Sequence, residues 1–216
     1  MSTASETSDS SVLDFPSADS TFFKANTYHI TPDVCLTPFL NTDVLALVHI
    51  HATSPNIERF TNNTQNPYTV TDAVEFLLRA QRDLIHEPTG TCLKFAIRDS
   101  RTMKLVGLLG VFRSWKYGPG DERWWSLGYA LAEAWTRRGI VTACVRCVME
   151  QVGRKLGARW WECQAMVGNL ASRKVLEKCG FVLVEEVEGG MEKRVRGPDG
   201  KIRVERIDAW FFEKKE

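Results

Sequence analysis

The sequence predicts one α/β (α+β) domain whose middle strands make an antiparallel meander. Strand-sized apolar runs and helix-period apolar stripes alternate in the order β-α-α-β-β-β-α-β-α-β-β. The middle strands follow one another through short connections, as in an antiparallel meander. The chain has 216 residues, 44% of them apolar and 25% charged, which suits one soluble domain with a tail.

Residues up to about Lys24 are rich in Ser, Thr and Asp and have little to bury. A disordered tail is therefore expected over residues 1–27, with the domain at 28–216. Phe15, Phe22 and Phe23 are the tail groups able to dock on the domain. Residues 34–38 read as a short strand. Asn41 or Thr42 then caps a helix carrying Val44, Leu45, Leu47, Val48 and Ile50. A second helix is expected behind Thr71 as N-cap, with Asp72 in its first turn and Pro88 and Gly90 past its end.

Residues 92–99 alternate as a strand, 100–104 form a turn, and 105–112 are a continuous apolar strand. Gly118–Pro119–Gly120 marks a loop, and residues 124–131 are the next strand. Ile140, Val141, Cys144, Val145, Val148 and Val152 put one apolar face on a helix from about Gly139 to Leu156. Strand 160–166, helix 169–178, strand 181–187, a Gly197–Pro198–Asp199–Gly200 tip and strand 202–212 complete the chain.

The net charge of +1 gives no electrostatic case for nucleic acid or an anionic membrane. The basic segment 191–206 is expected to be a solvated hairpin, with attraction of an acidic partner as the alternative. No apolar run reaches membrane-spanning length and the first residues do not resemble a secretory leader, so a cytoplasmic or nuclear protein is expected. The six cysteines are then reduced thiols. Cys144–Val145–Arg146–Cys147 sits mid-helix without a second pair, so it reads as core and no metal is expected. His49 and His51 read as surface residues, and Trp125 and Trp115 as candidates to line a substrate pocket.

Thr136–Arg137–Arg138–Gly139 feeds a basic turn into a helix N-terminus, where exposed N–H groups and the helix dipole favour an anion. Four motifs stand in order around it: Leu127–Gly128–Tyr129, Arg137–Arg138–Gly139–Ile140, Asn169–Leu170–Ala171–Ser172 and Leu176–Glu177–Lys178–Cys179–Gly180–Phe181. Together they resemble the acetyl-CoA-binding core of GNAT N-acetyltransferases, most closely the RimJ/RimL-type branch that acetylates ribosomal-protein N-termini. The resemblance runs from about Val34 to Phe212.

The resemblance implies a central mixed, mostly antiparallel twisted sheet, flanked by helices and splayed between strands 124–131 and 160–166, with acetyl-CoA as co-substrate in the gap. Its pantetheine arm is expected along Tyr129, Ala130 and Leu131. Its pyrophosphate is expected on Arg137, Arg138, Gly139, Ile140, Val141 and Thr142. Asn169 and Ser172 are expected to face the sulfur or the pantetheine amides, with Ser172 or water as donor to the leaving thiolate. Thr136 and Val141 depart from the family's loop, and Ser126 stands where a carboxylate is often found. No general base is evident, and Glu122, Glu162 and Asp208 are the candidates, Glu162 foremost. The acceptor implied is the primary amine of a small molecule or a protein N-terminus, and the enzyme a monomer or homodimer. The alternative is a GNAT-fold module that binds CoA or a partner without turnover.

Overall fold

A computed structural model describes residues 13–62, 64–114 and 123–215. The loop expected at 117–121, with Trp115 and Glu122, lies outside them, as do residues 1–12. Strands β1 (Tyr28–Thr31), β2 (Val34–Pro38), β3 (Lys94–Asp99), β4 (Leu105–Arg113), β5 (Trp124–Leu131), β6 (Trp160–Met166), β7 (Val182–Arg196) and β8 (Ile202–Lys215) form one sheet. Its order is β1-β2-β3-β4-β5-β6-β8-β7. Every neighbouring pair is antiparallel except β5–β6, so the sheet is mixed as expected.

Helices α1 (Thr21–Ala25), α2 (Val44–Ala52), α3 (Pro55–Phe60), α4 (Val70–His86), α5 (Ile140–Cys147), α6 (Gly153–Leu156) and α7 (Leu170–Lys178) cover both faces. A π-turn at Val148–Val152 joins α5 to α6, so the long helix expected there is continuous. Ile140, Cys144, Val145, Val148 and Val152 pack with Phe95, Leu109, Trp125, Leu127 and Trp161 in the larger core. On the other face Leu47 and Ile50 of α2 and Ala73, Leu77 and Ala80 of α4 pack on Ala96 and Leu105. Phe15 is buried there too, and the backbone N–H groups of Asp14 and Phe15 donate to Gln81 and Asn41. Residues 13–27 thus lie along the domain.

The start of α4 corrects the expected cap. Thr69, not Thr71, is the N-cap: its Oγ1 accepts from the Asp72 N–H, while the Asp72 carboxylate accepts from the Thr69 N–H at 2.8 Å. This reciprocal pair satisfies two N–H groups that the helix cannot. Under α2, the buried Arg98 guanidinium donates two bonds to Asp43 (2.9 and 2.6 Å), one to Thr37 and one to the Met103 carbonyl. A buried ion pair is tolerable because its donors are satisfied in this way.

β7 runs on past Val187, its expected end, while β8 starts at the expected Ile202 and continues to Lys215. They pair on through Arg196↔Ile202 after a register shift between Val187 and Met191. This arm is the expected hairpin, exposed over 198–206, but its β7 strand is anchored to the domain. The Arg194 N–H donates to the Asn62 carbonyl, and Lys193 donates to the carbonyls of Glu58 and Arg59 at the end of α3. Arg196 donates to both Asp72 oxygens (3.1 and 3.2 Å).

Candidate active site

β5 and β6 run parallel and pair only at Trp124↔Trp160, Trp125↔Trp161 and Ser126↔Glu162. Beyond Ser126 they part, and β5 keeps β4 as its strand neighbour through Leu131. The β5 edge facing the opening therefore has no strand partner over 127–131 among the described residues. An extended amide chain entering the gap would find backbone donors and acceptors there. At the crotch the Cys163 thiol donates to the Leu127 carbonyl at 3.7 Å.

α7 closes the gap from one face. Asn169 caps it by accepting from the Ser172 N–H at 3.1 Å. The Ser172 hydroxyl lies 2.9 Å from the Tyr129 hydroxyl, so a hydrogen bond spans from β5 to α7. Burial raises the Tyr129 phenol above its ordinary value, so it stays protonated, although the Ser172 bond opposes this in part. A cavity of about 100 Å³ lies beside this pair, with Leu127, Cys163, Gln164 and the buried Leu176 in its walls.

The turn before α5 has the form an anion needs. Arg137 (φ 62°) and Gly139 (φ 73°) are left-handed, and nothing lies within 4 Å of where a Gly139 Cβ would be. No side chain caps α5, so the N–H groups of its first turn point outward without an intrahelical acceptor. Thr136 spends its hydroxyl on the Glu133 carbonyl, and Arg138 donates to the Ala134 carbonyl. Val141 packs against the core.

On the opposite face of the sheet a cleft of about 1100 Å³ opens between α4, the floor strands β3–β5 and the β7–β8 arm. It shares Thr61, Asn62, Gly128 and Tyr129 with the smaller cavity. The two spaces meet at β5, where the strands part. Gly110 and Gly128 face each other across β4 and β5 on the cleft floor. A Cβ on Gly110 would come 2.8 Å from the Phe112 ring, so the glycines make room for that ring.

Two titratable groups of this cleft escaped the sequence reading. His51 is not a surface residue: it lines the cleft, stacked on Tyr68 with ring centres 3.9 Å apart. Its Nδ1 is 2.7 Å from the Leu47 carbonyl. A carbonyl can only accept, so Nδ1 carries the hydrogen, and the neutral ring keeps its lone pair on Nε2. Burial lowers the His51 pKa, outweighing the Leu47 carbonyl and Asp72, which favour the cation. Lys94 is the second group, with Nζ 3.4 Å from Asp83.

The remaining candidates fall elsewhere. Glu162 is buried in β6, level with Ser126 and Glu213, and lines neither space. Asp208 is exposed and accepts from the Gly189 N–H, fixing the irregular part of β7. Trp125 is fully buried in the larger core, so it cannot line a pocket.

Residues 33–182 match the family model described as an acetyltransferase (GNAT) domain. No curated protein sequence matches the chain. Among solved structures, the chain resembles the microcin C7 self-immunity acetyltransferase MccE in complex with acetyl-CoA and AMP. The TM-score is 0.68 and the identity 16%, over 91% of this chain and 100% of that one. It resembles the ribosomal-protein-S5-alanine acetyltransferase of Vibrio fischeri at TM-score 0.68 and 14% identity, over 88% and 96% of the two chains. Mycobacterium smegmatis RimJ in complex with CoA-disulfide gives 0.65 and 19%, over 84% and 81%.

Proposed function

The chain belongs to the GNAT acetyltransferase family, and on that premise we propose that it moves acetyl from acetyl-CoA to a primary amine by direct attack in a ternary complex. The acceptor is a protein N-terminus or a small-molecule amine. The observation that carries this reading is the pair of spaces that meet at Gly128–Tyr129, one beside the β5 edge and one on the far face of the sheet. A thioester entering through the first and an amine entering through the second would meet there without crossing.

In this reading the pantetheine arm follows Tyr129, Ala130 and Leu131. The pyrophosphate rests on the α5 turn, at Arg137, Arg138, Gly139, Ile140, Val141 and Thr142. A backbone N–H of the β5 edge polarises the thioester carbonyl, since a fixed donor aimed at developing negative charge lowers the barrier. The Tyr129–Ser172 pair hydrogen-bonds the leaving sulfur, and Asn169 fixes the turn that presents Ser172. On the amine side His51 accepts the proton through Nε2, the role first expected of Glu162. The Leu47 carbonyl and the Tyr68 ring hold the imidazole in the tautomer this needs.

CoA release on mixing the protein with acetyl-CoA and a panel of amines tests the reading. The panel holds peptides with free N-terminal Ser or Ala, a polyamine and an amino sugar. We expect release with at least one amine, matched by an acetylated product in the mass spectrum. Acetyl-CoA binding with no release across the panel would count against turnover.

A further inference from the structure

Lys94, Gly110 and Gly128 stand side by side on adjacent strands, by the pairs Lys94↔Gly110 and Gly110↔Gly128. Neighbouring strands lie about 4.8 Å apart, which puts Lys94 roughly 10 Å from Gly128 along the cleft floor. The lysine leans toward β5 across this distance. Its Cδ is 3.2 Å from where a Gly110 Cβ would be, so only glycine lets it pass. Its Nζ is 3.2 Å from the Phe112 ring centre, and that ring's edge is 3.3 Å from where a Gly128 Cβ would be. The amine thus lies one ring's width from the strand where the two spaces meet.

We propose that Lys94 is a self-acetylation site, an internal acceptor on the floor of the acetyl-transfer cleft. The inference rests on the functional reading above. The neutral Nζ attacks the thioester carbonyl carbon. The N–C bond forms, the C–S bond breaks, and CoA leaves as the thiolate. The proton shed by the nitrogen passes to Asp83 or water and ends on the sulfur. An amine and acetyl-CoA have become an acetamide and CoA, with no further reactant.

Lys94 has the chemistry an acceptor needs. Burial brings its ammonium down to about 8, against the opposing pull of Asp83, so a sizeable neutral fraction exists near neutral pH. The charged and titratable groups around it are Asp83 and Arg79 of α4 and the Cys92 thiol. Burial pushes that thiol up to about 12, so it stays neutral. Acetylation would discharge Lys94, break its ion pair with Asp83 and crowd the floor over Gly110. The modified cleft would accept external amines less well.

The test is to incubate the full-length protein with trideuteroacetyl-CoA at pH 8 and map labelled lysines by peptide mass spectrometry. We expect Lys94 to be labelled at least about tenfold faster than any other lysine, with the rate falling as pH drops below 8 and its ammonium form takes over. The Gly139→Trp variant, which cannot hold the donor, should lose this preference. Even labelling of all lysines, or a Lys94 preference that persists in Gly139→Trp, would overturn the proposal. So would an unlabelled Lys94 in protein shown to bind acetyl-CoA. Failure to bind acetyl-CoA at all would instead strike the functional reading, and the inference with it.

Discussion

Gly139→Trp should abolish acetyl-CoA binding while the protein still folds cooperatively. Gly139 is left-handed and precedes the uncapped end of α5, with open space where a side chain would begin. An indole there fills the volume that a pyrophosphate needs against the first N–H groups of the helix. Calorimetric titration should show a loss on the order of a hundredfold or more, about 2.8 kcal/mol at 1.4 kcal/mol per factor of ten. The left-handed conformation costs a non-glycine residue about 1–2 kcal/mol. That lowers the melting temperature by roughly 2–8 °C in a domain of this size. Unchanged affinity would mean that the anion site lies elsewhere.

His51→Gln is expected to have the second large effect. Gln keeps a donor for the Leu47 carbonyl but cannot take up a proton as Nε2 can. We expect kcat in the CoA-release assay to fall roughly 10²–10⁴-fold, the range for loss of a positioned acid–base group. Acetyl-CoA affinity should hold, because His51 lines the cleft on the far face and not the space beside the β5 edge. The sign of the pH effect follows from burial. Burial holds His51 below the ordinary histidine value, which favours the neutral ring able to accept a proton near neutral pH. Its catalytic contribution is lost as pH falls through that lowered value. Retention of wild-type kcat in His51→Gln would remove His51 from the mechanism.

The sequence was most legible where apolar runs are bounded by turn residues. Strands 124–131 and 160–166 are found at their expected limits, and Gly157 and Gly180 close their helices as expected. Burial in the sheet centre leaves a strong local mark on composition. α1, β1 and α3 are short elements of four to six residues, too brief for a period to show. The cap of α4 went to Thr69 because the Asp72 carboxylate answers it three residues on, a reciprocal pair in which Thr71 has no part. Residues 188–196 were unreadable as strand because their anchors are distant: Asn62, Glu58 and Asp72.

The candidate site divides along the same line. Its proposed cofactor side lies in motifs that stand in order along the chain, so the resemblance alone suggests it. Its acceptor side is made by contacts between distant segments. The environment of His51 depends on Tyr68, and that of Lys94 on Asp83 and Phe112. Nothing local in the sequence sets these residues apart from surface histidines and lysines.

The most direct measurement of the central claim is thermal unfolding of the full-length protein with acetyl-CoA, CoA and ATP in parallel. A ligand at about 100 times its Kd stabilises by roughly 2.7 kcal/mol, worth about 5–10 °C here. A shift of that size with both CoA species, and little with ATP, is the predicted result. No shift with either CoA species at millimolar concentration would contradict the account, because a chain that does not hold the donor cannot transfer its acetyl group.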